Sequence, residues 1–359
     1  MSAADPFLPS ADQPIRWPAE AIWQAVEPVL PGFTVEILPE IDSTNSELMR
    51  RFRGRLADSA GGRAIEPRTE PTLLVAEQQT AGRGRLGRQW QSQRAASLMF
   101  SLGMALQPKD WSGLSLVVGI SLAESLSALR AAAPGASAPQ GDLHAPEIGL
   151  KWPNDLWLTD AAATPASACQ GERKLGGILV ETASGDGIRY VVIGVGINIQ
   201  ALPATLLPAT SLLATAPANA FETVDAATAA ATTLRPSALP AGWLQLLDAD
   251  ADAASTLLQV VPPLVQALQA FEQFGFAPFQ ARFAQRDVLA DRNVRIFDGN
   301  SALEGTAHGV SESGALLVHT PAGMKEITSS EVSVRPVAQA APGVATSASP
   351  AMLRSTGTC

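Results

Sequence analysis

Two apolar runs, Leu175–Thr182 and Tyr190–Ile199, are separated by the turn-forming stretch Ser184-Gly185-Asp186-Gly187, and this pair constrains the fold more than any other feature of the chain. Extended runs that close across a Gly-containing turn read as a β-hairpin, which is antiparallel by construction. A purely parallel, doubly wound sheet is thereby disfavoured. Three further strand candidates precede the hairpin, Thr72–Glu77, Leu98–Leu106 and Ile148–Leu158, with a buried-type helix at Leu114–Arg130 among them. Strands outnumber helices, so the expected fold class is α+β, a mixed β-sheet flanked by helices.

Around this centre the chain divides by composition. Residues 1–40 read as an N-terminal arm and one helix, Pro18 to Leu30, with Ile22, Trp23, Val26 and Leu30 on a shared face. One amphipathic helix cannot supply the paired helices of a DNA-reading module. From Asp42 a second helix is expected, because Thr44 and Glu47 match a capping box and Leu48, Met49 and Phe52 form an apolar stripe. Three stretches rich in Ala, Pro, Thr and Ser look like insertions: Ala131–Pro146, Asp160–Arg173 and about Ala201–Ala253. A helix from Ser255 to Gly275, kinked or interrupted at Pro262-Pro263, closes a main domain over 41–285. The alternation of Asn293–Val337, with turns at Asp298-Gly299, Ser313-Gly314 and Ala322-Gly323, suggests a small β-barrel domain over 286–337. Residues 338–359 read as a disordered tail.

Composition excludes several classes. A net charge of −9 argues against broad nucleic-acid or anionic-membrane binding, so anionic ligands need local cations. Two cysteines, Cys169 and Cys359, support neither a disulfide framework nor a Cys-based metal site. No leader pattern opens the chain, and no apolar run reaches the roughly 18 residues of a membrane span. The expectation is a cytoplasmic protein with no membrane and no nucleic-acid partner, and with no metal site of its own.

The chemistry concentrates in three stretches. In Ala76–Trp90, three Gly and three Arg fall within the seven positions 82–88, directly after a strand. Gly opens backbone conformations closed to other residues, and Arg presents planar charged forks to carboxylate and phosphate, so the loop reads as one that orders around an anion. The alternative is a solvated Arg-rich loop or a nucleic-acid tether. Trp90 is placed either as a core aromatic or to stack on a base. In Gly149–Leu158, Lys151 stands inside an apolar run that breaks at Pro153-Asn154-Asp155. Such a lysine either meets an anion or snorkels at a strand edge, and the Asn-Asp pair is most simply turn chemistry. In Arg173–Ile199, the pairs Gly176-Gly177 and Gly194/Gly196 allow close approach of a ligand or of another strand, and Asn198 ends the run.

Taken in order, DSTN (42–45), AEQQTAGRGRLGRQW (76–90), KWPNDLWL (151–158), RKLGGILVE (173–181) and VVIGVGINI (191–199) resemble the core of the biotin–protein ligase family. The resemblance is to the monofunctional members, without a DNA-binding domain, and residues 276–337 resemble the family's SH3-like C-terminal domain only loosely. It implies a class II synthetase-like catalytic fold that makes biotinyl-5'-AMP and pyrophosphate from biotin and ATP with Mg²⁺. Biotin then passes to a lysine of a biotin carboxyl carrier protein. Ser43, Thr44, Asn45, Gln79, Arg83, Gly84, Arg85, Lys151, Gly194 and Gly196 fall at positions implied to bind biotin, and Arg88, Trp90, Lys174 and Asn198 at positions implied for the nucleotide. Lys151, Arg83 and Arg85 are the implied catalytic cations. A homodimer is left open.

This chemistry suits the residue types. A carboxylate becomes an acyl donor by attacking the α-phosphate, and bringing two anions together needs fixed positive charge rather than a protein nucleophile. The nearest rival is a lipoate ligase or octanoyltransferase of the same fold class. An octanoyltransferase requires a cysteine nucleophile that neither Cys169 nor Cys359 is placed to supply. The rival from another class, an RNA-binding module using the Gly/Arg loop, would need a wider basic surface with exposed aromatics.

Overall fold

A computed structural model describes residues 14–60, 69–132, 146–160, 171–185, 187–201, 240–298, 301–328 and 332–336. The expected tail over 338–359, the first thirteen residues and most of each expected insertion lie outside the described residues. In chain order the elements are α1 (Ala19–Val26), β1 (Thr34–Ile41), α2 (Thr44–Ala60), β2 (Thr72–Gln79), β3 (Ser97–Ala105), α3 (Leu114–Ala132), β4 (Pro146–Lys151), β5 (Asp155–Asp160), β6 (Arg173–Gly185) and β7 (Ile188–Asn198). They continue with α4 (Ala253–Phe274), α5 (Gln280–Ala284), β8 (Asn293–Asp298), β9 (Ser301–Val310), β10 (Leu316–Thr320), β11 (Gly323–Ile327) and β12 (Val332–Pro336).

The first seven strands form one mixed sheet in the order β1-β2-β3-β7-β6-β5-β4. β1 runs parallel to β2, and the remaining neighbours are antiparallel, including the β6–β7 hairpin that the sequence marks. Strand side chains alternate between faces, and the two faces bury different partners. Leu73, Val75, Val191, Ile193 and Val195 point into the large core shared with α3 and α4, whereas Leu74, Tyr190 and Val192 meet Leu48, Met49 and Phe52 of α2. Phe52 stacks on Tyr190 with centroids 4.7 Å apart, so Phe52→Ala would cost about 3–5 kcal/mol.

Several local expectations need correction. Ile148–Leu158 is not one strand but the β4–β5 hairpin, which turns at Trp152-Pro153-Asn154 through a cis Trp152–Pro153 peptide. Both arms are apolar because both bury a face, so the hydrophobic run hides the turn. α2 is capped one residue earlier than the box suggests: Ser43 Oγ accepts from Ser46 N at 3.4 Å, while Glu47 pairs with Arg50 and Arg51. In α1 the buried residues are Ile22 and Val26, one turn apart, and Trp23 is 45% exposed, because adjacent helical positions point about 100° apart. α4 runs through Pro262 and Pro263 as one helix, with Val260, Val261, Leu264 and Val265 buried on both sides of them. Tertiary packing outweighs the lost backbone bonds. Residues 240–252 are not inserted filler: Lys174 N donates to Pro240 O at 3.0 Å and Gly242 N to Lys174 O at 2.8 Å, so this segment lies along β6. Glu172, at the end of another expected insertion, is buried and paired with Arg292.

The last five strands form an antiparallel sheet in the order β11-β10-β9-β8-β12. It seats against the turn that follows Lys151, where Trp152 Nε1 donates to Gly314 O at 3.0 Å. The connection into β8 runs beside β4, with Leu150 N donating to Arg286 O at 2.7 Å and Val288 N to Leu150 O at 3.1 Å. This docking brings β12 to the mouth of the cavity described next.

Candidate active site

A cavity with an empty volume of about 920 Å³, its open mouth included, lies between the N-terminus of α2, the loop after β2, and strands β3, β6 and β7. Its inner end is polar and fully engaged. Gln79 Oε1, at the end of β2, accepts from Thr44 N at 2.8 Å and lies 3.3 Å from Thr44 Oγ1. Ser101 Oγ donates to Asn45 Oδ1 at 2.6 Å and stands 2.7 Å from Thr44 Oγ1. The backbone N–H groups at the start of α2 are spent within the protein, Ser43 N on Asp42 Oδ1, Thr44 N on Gln79 Oε1 and Ser46 N on Ser43 Oγ, so this end is a neutral polar pocket of fixed shape. The floor is glycine for a steric reason: a Cβ on Gly194 would fall 2.1 Å from Asn45 Oδ1, and one on Gly196 2.5 Å from Trp90 Cε2. Gly194 and Gly196 thus make room for neighbouring side chains, which neither reading covered, while Gly176, whose Cβ would fall 2.6 Å from Gly196 O, shows the close approach of another strand. The Trp90 ring rests on Gly196, and its buried Nε1 has no hydrogen-bond partner among the described residues.

At the strand end, a carboxylate sits between two lysines. Lys174 Nζ donates to Asp155 Oδ1 at 2.6 Å, and Lys151 Nζ lies 3.9 Å from Asp155 Oδ2 and 5.5 Å above the Trp157 ring. The β4–β5 hairpin places Lys151 directly opposite Asp155, and β6 brings up Lys174. Burial pushes the Lys151 ammonium down to about 8; Asp155 holds it up, and Lys174, Arg88 and Arg335 push it further down. Burial alone would raise Asp155, but the charges of Lys174 and Lys151 hold it below the ordinary carboxylate range. Lys151 is therefore a buried cation facing an anion and not a snorkelling edge residue.

The loop after β2 is a small hairpin. Trp90 N donates to Gly82 O and Gly84 N to Arg88 O, both at 2.8 Å, and Leu86 at the tip has φ 56° and is half exposed. Arg85 turns inward, donating to Asn154 Oδ1 at 3.2 Å, and burial lowers its pKa. Arg83 stands in the wall of the cavity, held by Glu181, with Nη1–Oε2 and Nη2–Oε1 both 3.1 Å.

Residues 57–198 match the model of the biotin/lipoate A/B protein ligase family, and 291–335 that of the biotin protein ligase C terminal domain. The chain is 32% identical over 311 residues to the bifunctional ligase/repressor BirA of Escherichia coli, covering 85% of this chain and 75% of that protein. The chain belongs to the biotin protein ligase family. It is also 26% identical to the biotin--[acetyl-CoA-carboxylase] ligase of Paracoccus denitrificans, over 82% of this chain and 98% of that one. Among solved structures it is similar to the biotin protein ligase from Aquifex aeolicus in complex with biotin and ATP, with a TM-score of 0.56 and 26% identity over 84% of this chain and 99% of that chain.

Within this ligase fold the cavity brings together Ser43, Thr44, Asn45, Gln79, Arg83, Gly84, Arg85, Arg88, Trp90, Lys151, Lys174, Gly194 and Gly196. Asn198 is placed elsewhere: its Nδ2 donates to Gly242 O at 2.9 Å and Lys174 O at 3.3 Å, fastening β6 behind the cavity instead of lining it. Asn154 and Asp155, which read as turn residues, line the cavity, and so does Val334 of β12. Asn154 could have been suspected from its place beside Lys151. Nothing in the local sequence marks Val334.

Proposed function

We propose that this ligase joins biotin to ATP as biotinyl-5'-AMP and then transfers biotin to a lysine of a biotin carboxyl carrier protein. The observation that carries the reading is a single cavity with two unlike ends, a neutral polar pocket at Thr44, Asn45 and Gln79 and a cation cluster at Lys151, Lys174 and Arg85. A long, uncharged heterocyclic head suits the first end, and a carboxylate meeting a phosphate suits the second. In this reading Ser43, Thr44, Asn45, Gln79 and the Gly194–Gly196 floor hold biotin, while Arg88, Lys174 and Trp90 hold the nucleotide.

In the first step a carboxylate oxygen of biotin bonds to the α-phosphorus, and the bond to the β-phosphate bridge breaks, its electron pair leaving with pyrophosphate. Lys151, Lys174 and Arg85 offset the charge that builds on the α-phosphoryl oxygens, at no reorganisation cost because Asp155 already fixes the lysines. In the second, the acceptor's amine nitrogen bonds to the acyl carbon, AMP leaves with the C–O electron pair, and the amine loses a proton. The inward turn of Arg85 and the Gly/Arg loop keep water from the anhydride in between.

Among the described residues no three His, Cys, Asp or Glu side chains stand together as a metal site, and Asp155, the carboxylate in the cavity wall, is engaged by two lysines, so the described lining does not fit a resident Mg²⁺. In the proposal Mg²⁺ arrives as the counter-ion of ATP. Among the described residues no helix is long and apolar enough to cross a membrane. Cytoplasmic ATP chemistry and the absence of a nucleic-acid partner are part of the same proposal, the latter because a net charge of −9 supplies no broad positive field.

Incubating the protein with ATP, Mg²⁺, biotin and a purified carrier domain should add one biotinyl group to the carrier, read by mass spectrometry. Lipoate in place of biotin should add nothing. Modification by lipoate alone would move the assignment to the other branch of the matched family.

A further inference from the structure

The loop that carries Arg85, Arg88 and Trp90 is fastened to the body of the protein through Arg83. Because residues 82–90 are closed on themselves by the hairpin hydrogen bonds, fixing Arg83 fixes the loop as a unit. Its guanidinium meets both oxygens of Glu181 at 3.1 Å and reaches Ser46 Oγ at 3.3 Å. Glu181 Oε2 also accepts from Asn45 Nδ2 at 3.1 Å, and Asn45 in turn is held by Ser101 of β3. One carboxylate thus joins the loop to α2, β6 and β3. Arg83 lines both the inner cavity and an outer cleft that passes Asp42 and Ser46, so the ion pair stands in the wall between them. Glu181 lines neither space.

We propose that Glu181 is a positioning residue of the ligase reaction: through Arg83 it latches the Gly/Arg loop over the cavity and so sets how long the acyl-adenylate is held before an acceptor amine arrives. The inference rests on the ligase reading above and goes beyond it, because it gives Arg83 a role through Glu181 rather than on the ligand. The pair is suited to opening. Arg83 is 47% exposed and Glu181 22%, a setting in which an ion pair is worth little enough to break and re-form in each turnover.

The test is the rate at which biotinyl-AMP, formed in place without carrier, leaves the wild-type protein and the variants Glu181→Gln, Arg83→Gln and the double. Gln keeps an acceptor for Asn45 Nδ2 and removes only the charge from Arg83, so the inner pocket should stand. Each single variant should release adenylate about three- to fivefold faster, and the double no faster than either single, because both remove one latch. Glu181→Asp, which keeps the charge but draws it back by a methylene, should fall between. The latch is refuted by a Glu181→Gln release rate within about twofold of wild type, or by single effects that multiply in the double, as independent sites do. If Glu181→Gln fails to fold, Arg83→Gln on the exposed side reads the same latch. A wild-type protein that forms no adenylate defeats the ligase reading and this inference with it, whereas normal adenylate with unchanged release in the variants defeats the latch alone.

Discussion

At the strand end of the cavity Lys151 is 12% exposed and shares Asp155, itself 17% exposed, with Lys174; at the loop end Arg83 is 47% exposed and leans on one charged partner, Glu181, and the Ser46 hydroxyl. The first arrangement is built before any ligand arrives and cannot be undone cheaply, since a buried charge that loses its partner keeps the full cost of its burial. The second costs little to break. The contrast assigns chemistry to the strand end and retention to the loop end: electrostatic stabilisation of a transition state needs charges already in place, and a gate needs charges that come apart.

The largest effect should follow from Asp155→Ala, which leaves the 12% exposed Lys151 ammonium beside that of Lys174 with no carboxylate between them. Unfolding in denaturant should show a loss of about 3–5 kcal/mol, against about 1 kcal/mol or less for Glu181→Gln. Equal losses at the two ends would erase the distinction. Next, Lys151→Ala and Lys174→Ala should lower the single-turnover rate of adenylate formation by about 10²–10³-fold in folded protein. Lys151→Arg should also be impaired, because a planar fork replaces a compact ammonium between Asp155 and the Trp157 ring.

A smaller effect is expected for Arg85→Ala. It should release adenylate several-fold faster while costing about 1 kcal/mol of stability, the worth of its bond to Asn154. A formation rate that falls as far as in the lysine variants would move Arg85 to the chemical end. The smallest and most specific effect is on pH. Lys151 loses its charge as pH rises through about 8. The kcat/KM for adenylation, which reports the free enzyme, should therefore decline above that value, and Lys151→Arg should lack the decline. Stability runs the other way. The unfolded chain holds this proton up to the ordinary 10.5, so between about 8 and 10.5 it binds more protons than the folded one, and the apoprotein gains stability with rising pH. Lys151→Met should flatten that gain.

How far the sequence could be read follows the same division. The Gly/Arg loop was legible as part of the cavity because its composition is local: Gly and Arg crowd into one turn. The mixed sheet was legible through the β6–β7 hairpin. Asp155 was not, since an Asn-Asp pair after proline is ordinary turn chemistry, and its partnership with Lys174 exists only through the β5–β6 register. Glu181 ends the apolar run Ile178-Leu179-Val180 with nothing in the local sequence to mark it, and only the fold brings Asn45 and Arg83 onto it. Asn198 shows the reverse case: its motif position implied a ligand contact, but residues 240–242, expected to belong to an insertion, come back to occupy its amide.

Exchange of labelled pyrophosphate into ATP, followed without any carrier protein, tests the central claim most directly. The account predicts biotin-dependent exchange by the wild-type protein, nearly lost in Lys151→Ala and Lys174→Ala and largely kept in Arg83→Gln. Exchange that appears only when carrier is added, or that survives the lysine variants and vanishes in the loop variant, would contradict it.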